Sequence, residues 1–388
     1  MARKVDRLTQ MAPTRETRPV RTLAIIGVGL MGGSLALAAR HKGQVDVVRG
    51  FDSDPRCLDD ALAGGVITRR CASVAEAAAG ADLVVVCTPV RGILDLVEQA
   101  ALANPPPRMI SDIGSTKATL LNRLSARARP LFIGGHPICG AETSGVRFAR
   151  PDLFEGATYF LCPPDEVAPE AFEAFHSWVA ALGARPVAIG ADVHDRIMAL
   201  VSHVPHVLAN VLMSEVGGFE ASGRRALYSV GPSFKDLTRV AGANPAMWTD
   251  IFIENREALI SSLKSVAADV MLLCEHLRDG DEKSVFKGID SAASYRRELL
   301  QFEDILPETL HRITVRIPDE PGVLSRVMTS LGNANINIED LTLHHFSRSA
   351  GGDLLLYVSG AEEAGIACDL VEALGFPAIM EFAGDPGV

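Results

Sequence analysis

The chain has 388 residues, enough for two or three domains that each bury their own core. Lys and Arg number 37 against 48 Asp and Glu, a formal net charge of −11 that excludes a general polyanion binder, so no nucleic-acid partner is expected. At 48% hydrophobic and 22% charged residues the composition is that of a folded globular protein, and disorder along the whole chain is excluded.

Residues 1–20 set Arg3, Lys4, Arg7, Arg15 and Arg18 among Thr, Pro and Gln without an apolar centre, and read as a flexible arm rather than a secretory signal. From Thr22 to about Gly190, short Val/Ile/Leu runs alternate with Ala/Leu/Arg segments of helical period, the pattern of βαβ units. The runs are Thr22–Gly27, Val45–Phe51, Asp82–Cys87, Met109–Asp112, Leu131–Gly134, Thr158–Cys162 and Pro186–Ile189; several lack polar alternation, as strands covered on both faces do. Residues 21–190 are therefore expected to form a doubly wound dinucleotide-binding domain.

The texture then becomes helical over Ala191–Val216, Arg224–Ala241, Pro245–Glu275 and Asp279–Gln301, apolar over much of the helix circumference. An all-α domain over 191–306 that buries itself in a homodimer is the expectation, with Pro205 kinking its first helix. Residues 310–384 follow a β-α-β-β-α-β order: strands Arg312–Ile317, Ile336–Phe346, Asp353–Ser359 and Ala378–Phe382, with helices opened by Pro321-Gly322 and by Glu362. A small ferredoxin-like α+β module is predicted. Seven scattered Cys with no C-x-x-C pair read as reduced thiols, and no run of about 18 uncharged apolar residues suggests a membrane span, so a cytoplasmic protein with no membrane partner is expected.

Gly27-Val28-Gly29-Leu30-Met31-Gly32 follows a strand and opens a helix, the context the dinucleotide fingerprint requires. Its glycines allow the tight turn, the approach of a pyrophosphate and close helix packing, with the phosphates at a helix N-terminus. Asp52, after the second strand, suits the adenosine ribose and repels a 2′-phosphate, which favours NAD over NADP despite Arg49 and Arg56 nearby. Thr88 and Pro89, and then Asp112 to Lys117 with Ser115 and Thr116, follow the next two strands and would face the nicotinamide; Ser115 and Thr116 also suit a helix N-cap. His136, in the Gly/Pro-rich stretch Gly134–Gly140, reads as a loop histidine placed to accept a hydroxyl proton as hydride leaves. Ser202-His203-Val204-Pro205-His206 sits in a helical pattern; its two His, three apart, have no third ligand at useful spacing, so no metal is expected and contacts to substrate or helix ends are preferred. Arg239, in Lys235-Asp236-Leu237-Thr238-Arg239, offers a planar fork for a carboxylate, or a surface ion pair.

Taken together these blocks resemble the prephenate and arogenate dehydrogenase family of tyrosine biosynthesis. The resemblance runs from about Thr22 to Leu306 through the glycine fingerprint, Asp112-Ile-Gly-Ser115-x-Lys117, Gly135-His136-Pro137-x-x-Gly140-x-Glu142-x-Ser144-Gly145, Ser202-His203-x-Pro205-His206, and Asp236-x-Thr238-Arg239-x-Ala241 with Trp248 downstream. It implies NAD-dependent oxidative decarboxylation of prephenate: His136 as proton acceptor, Ser115 orienting the hydroxyl, Arg239 on a carboxylate, His206 with Ser202 at the side-chain end, and Glu142 also binding substrate. A neutral or cationic His206, where an acid would suit the ammonium of arogenate, leans towards prephenate. Ala141 departs from the hydroxyl residue that many relatives carry, which puts one substrate or water contact in doubt.

The C-terminal module is similar to ACT regulatory domains through Asp319-Glu320-Pro321-Gly322-Val-Leu324 and Asn335-Ile-Asn337-Ile338. That similarity implies a tyrosine effector held near Asp319, Pro321, Gly322 and Asn335, or an ACT domain that only dimerises. Three other readings remain at this level: an arogenate dehydrogenase, a β-hydroxyacid dehydrogenase using Lys235 or Lys264, and a non-catalytic sensor of NAD and an amino acid.

Overall fold

A computed structural model describes residues 20–140, 143–221, 224–303, 310–347 and 351–382. The proposed 1–20 arm, apart from Val20, and Glu142 lie outside the described residues. The chain divides into two compact units, Met1–Asp269 and Val270–Val388, so the boundary falls within a long helix rather than at its end.

The first unit opens with β1 (Thr22–Ile26), α1 (Leu30–His41), β2 (Val47–Phe51), α2 (Pro55–Ala63), β3 (Arg69–Arg70), α3 (Val74–Ala78), β4 (Leu83–Val86), α4 (Val90–Ala101), β5 (Met109–Asp112), α5 (Ala118–Arg123), β6 (Phe132–Pro137), β7 (Thr158–Cys162), α6 (Pro169–Ala181) and β8 (Arg185–Ala188). Its strands form one sheet in the order β3-β2-β1-β4-β5-β6-β7-β8. Every neighbouring pair is parallel except β6–β7.

The lack of polar alternation has a direct cause: the sheet is covered on both faces. Leu23, Ile25 and Val85 pack into one core with Leu35, Phe154 and Trp178, while Ala24, Ile26, Val84 and Val86 pack into the other with Ile93, Val97 and Leu121. Fully burying each such Leu, Ile or Val is worth roughly 1.5–3 kcal/mol. The order reverses between β1 and β4, which opens the crevice where ligands of open α/β sheets bind.

The helical part comprises α7 (Ala191–Met198), a π turn over Ala199–His203, α8 (Val204–Gly218), a two-residue hairpin of β9 (Glu220–Ala221) and β10 (Arg224–Arg225), α9 (Pro232–Leu237), α10 (Pro245–Glu254), α11 (Arg256–Asp279) and α12 (Glu282–Glu303). The break expected at Pro205 takes the form of that π turn: proline has no N–H to donate and its ring crowds the preceding turn, so the helix widens just before it. The continuous helix expected over Arg224–Ala241 is not formed. Gly231-Pro232 and Thr238 divide it into a 3-10 turn, α9 and a second 3-10 turn.

By length and composition alone the run Ala191–Gly218 is apolar enough to cross a membrane. Yet it buries His194, Asp195, His203 and His206 inside the protein, and it exposes Leu200, Val201 and Val211. Charged and imidazole side chains buried in a folded unit are the mark of a core helix.

The second unit ends in β11 (Leu310–Ile317), α13 (Val323–Asn333), β12 (Asp340–Ser347), β13 (Gly351–Ser359), α14 (Ala361–Ala373) and β14 (Ala378–Phe382), an antiparallel sheet ordered β12-β13-β11-β14. This is the predicted ferredoxin-like order, although the second strand starts at Asp340 rather than Ile336. Ile313, Val315 and Ile317 alternate inward onto Val327, Leu331 and Val371 of the two helices.

Candidate active site

Because β1, β4, β5 and β6 are adjacent and parallel, their C-terminal ends carry Gly27–Gly32, Cys87–Pro89, Asp112–Lys117 and His136 to one rim. Gly27 has φ +94, and a Cβ there would stand 2.6 Å from the Cys87 carbonyl oxygen, so the loop after β1 can lie against the loop after β4 only as glycine. A Cβ on Gly32 would overlap the Gly27 carbonyl oxygen, whereas Gly29 faces open space.

The first turn of α1, with Leu30 and Met31, has neither a side-chain cap nor an acidic residue. Its backbone N–H groups are thus free of the competition that would weaken an anion site. The Asp52 carboxylate accepts Val28 N–H at 2.8 Å and Asp54 N–H at 2.9 Å, tying the end of β2 to the glycine loop. The Thr88 hydroxyl, beside Pro89, is buried without a partner among the described residues. These features fit a dinucleotide: an open glycine face, uncapped donors and an orphaned hydroxyl on one crevice.

His136 is a strand residue, not the loop residue expected from its glycines and proline. It lies in β6 opposite Phe160 of β7 and is buried. The preceding glycines have another cause. A Cβ on Gly135 would overlap the Asp112 carbonyl oxygen, and one on Gly134 would stand 2.9 Å from the Lys117 side chain.

Asp112 and Lys117, both fully buried, form an ion pair at 2.5 Å under those glycines. Asp112 also accepts Gly114 N–H at 2.8 Å and Gly135 N–H at 3.0 Å, and Lys117 Nζ donates to the Thr116 carbonyl at 3.1 Å. Burial, and then the Lys117 cation, hold the His136 imidazole well below its usual pKa. His136 is therefore neutral and able to accept a proton.

Neither Ser115 nor Thr116 caps α5. The Asp195 carboxylate of α7 does so from outside, accepting Lys117 N–H and Ala118 N–H at 2.8 Å each. Asp195 Oδ1 also lies 2.8 Å from His194 Nδ1, and His194 Nε2 lies 2.9 Å from His136 Nδ1. Asn255 donates to the Asp195 carbonyl at 2.8 Å and contacts His203 Nδ1 at 3.1 Å.

Burial pushes His203 down to about 4 and lowers His206 as well. His206 stacks on Trp248 at 3.8 Å between ring centroids, and its buried Nδ1 has no partner among the described residues. Ser202 belongs to the π turn between His194 and His206, and Arg239 begins the 3-10 turn that packs against α8. A cavity of about 860 Å³ lined by Asn122, Arg196 and Glu254 meets this network through Asp195 and Asn255 and does not include His136.

The structure thus gathers His136, the Ser115 loop and the glycine loop on one rim, with His206 and Arg239 on packed neighbouring elements. Asp319, Pro321, Gly322 and Asn335 lie in the C-terminal module, where Gly322 (φ +88) and Asn335 (φ +55) adopt left-handed backbone at the two ends of α13. Sequence reading missed His194 and Asp195; an adjacent His-Asp in the first turns of the helix after β8 was their one visible signal.

The chain matches two family models, the nucleotide-binding domain of prephenate dehydrogenase over residues 35–188 and its dimerization domain over residues 190–291. A prephenate dehydrogenase of Bacillus subtilis is 28% identical over 356 residues, covering 91% of this chain and 96% of the relative, a span too long to stop before the C-terminal module. A cyclohexadienyl dehydrogenase of Zymomonas mobilis is 31% identical over 74% of this chain and 98% of its own length. Among solved structures, prephenate dehydrogenase from Aquifex aeolicus, in complex with hydroxyphenyl propionate and NAD+, superimposes with a TM-score of 0.68 at 28% identity, over 72% of this chain and 98% of that one.

Proposed function

The chain belongs to the prephenate dehydrogenase family, and from that premise we propose that it is an NAD-dependent enzyme converting prephenate to 4-hydroxyphenylpyruvate and CO₂. The observation that carries this reading is a neutral, buried histidine, His136, on the rim shared with an open glycine loop. Bound NAD supplies the hydride acceptor. Gly27, Gly29, Leu30, Met31 and Gly32 would hold its pyrophosphate, Asp52 its ribose, and Thr88 and Pro89 would line its path to the rim.

His136 takes the ring hydroxyl proton as hydride leaves the same carbon, with Ser115 orienting that hydroxyl. The bond to the ring carboxylate then breaks as CO₂ departs, and its electron pair completes the aromatic ring. The phenolic oxygen regains its proton from His136, so turnover releases no net proton. Arg239 would fork onto a carboxylate, and His206, held flat by Trp248, would meet the pyruvyl end together with Ser202 and Glu142. A lowered, neutral His206 gives the ammonium of arogenate no anionic partner, which favours prephenate.

The helical domain would pair two copies through its exposed Leu200, Val201 and Val211, in a cytoplasmic homodimer. The C-terminal module has the β-α-β-β-α-β order of an ACT domain, and tyrosine would bind near Asp319, Pro321, Gly322 and Asn335 as feedback effector. The test is kcat/KM with NAD on prephenate and on arogenate, with and without tyrosine. Prephenate should be preferred at least tenfold and its turnover suppressed by tyrosine; preference for arogenate would overturn the role of His206, and indifference to tyrosine the effector assignment.

A further inference from the structure

Two side chains outside the binding surface, Asp195 and His194, form a series that ends on the proton acceptor. Both Asp195 oxygens receive backbone N–H groups, from Lys117 and Ala118, so the carboxyl group accepts rather than donates. His194 Nδ1, 2.8 Å from Asp195 Oδ1, must then carry a hydrogen. With one hydrogen on His194, at Nδ1, its Nε2 is bare where it faces His136 Nδ1 at 2.9 Å, and the hydrogen of that contact belongs to His136. Only one tautomer of His136 satisfies the series: Nδ1 protonated and Nε2 bare. The ring planes are fixed as well, since His194 meets His136 at 71° and Phe160 at 80°.

We propose that His194 and Asp195 are positioning residues that lock His136 in the tautomer and ring orientation whose Nε2 accepts the substrate hydroxyl proton, and that Asp195 balances the charge His136 gains while it holds that proton. The proposal rests on His136 being that acceptor. It ties the base to the start of α5, so one carboxylate both caps a helix and sets the tautomer of a ring two side chains away. A buried carboxylate that fixes a catalytic imidazole in this way is worth orders of magnitude in rate.

The test compares His194→Leu, His194→Gln and Asp195→Asn in the full chain, with NAD affinity and thermal unfolding measured alongside. Leu fills the space without a polar atom, Gln offers a carbonyl to His136 Nδ1, and Asn can turn its NH₂ towards His194 and invert the series. His194→Leu and Asp195→Asn should each lower kcat about 10²-fold or more, with KM for prephenate and NAD affinity within threefold of the parent. His194→Gln should recover at least tenfold of the loss seen with Leu. Leu within threefold of the parent, or Gln no better than Leu, would overturn the proposal. If His194→Leu fails to fold, Asp195→Asn decides alone, and a kcat within threefold of the parent rejects the assignment. Failure of the parent itself on prephenate would instead remove the reading on which the proposal rests.

Discussion

His136→Asn should lower kcat by about 10²–10⁴-fold, the range a general base supplies, while NAD affinity stays within threefold of the parent. The asymmetry follows from where the side chain sits. His136 lies next to the end of β6, two strands away from the β1–β4 crevice where Gly27 and Gly32 are packed, and no part of the glycine loop depends on the imidazole. Asn keeps a polar group near Nδ1, so the contact to His194 survives in part, but it has no nitrogen able to take a proton at the position of Nε2. The loss should therefore fall on kcat with KM for prephenate little changed. Steady-state kinetics beside NAD titration decides the matter, and turnover equal to the parent's would remove His136 as the acceptor.

Lys117→Met should destabilise the fold by roughly 3–5 kcal/mol, because it strands Asp112 as a charge with no countercharge in a fully buried position. The Gly114 and Gly135 N–H groups remain on that carboxylate and keep the cost from being larger. The same variant removes the cation that helps depress the His136 pKa, which favours the imidazolium. A depressed pKa means that kcat holds as pH falls through the ordinary imidazole range, so in Lys117→Met the acid limb of kcat should move to higher pH. Urea unfolding and the pH profile of kcat check the two effects separately. Unchanged stability would contradict the buried pair, and an unmoved acid limb would contradict its action on His136.

How much of this was legible in the sequence depends on whether the deciding contact is local. The strand, glycine loop and helix from Thr22 to His41 are set by neighbours along the chain, and there the reading and the structure agree within a residue or two. The ferredoxin-like order of the last 70 or so residues was equally plain, since period-2 and period-3.6 patterns alternate without interruption.

The sequence singles out His136 but suggests a loop there, because Gly134 and Gly135 look like turn residues. Their smallness answers instead to Asp112 and Lys117, some 20 residues away, and to the antiparallel partner β7. The capping role given to Ser115 and Thr116 went to Asp195, 77 residues beyond Ala118. No local pattern marks that bond. A His-Asp pair at a helix start has the look of a solvated first turn, and only the docking of α7 against α5 turns it into part of the site. The segment 224–241 failed for the opposite reason: its apolar spacing suits a helix, but Gly231-Pro232 stops one.

The most direct measurement is to mix the purified full chain with NAD and prephenate and to follow reduced nicotinamide and 4-hydroxyphenylpyruvate together. The two should appear in equal amounts, and His136→Asn should lower both by the same factor; an NAD-bound protein that forms neither would contradict this reading.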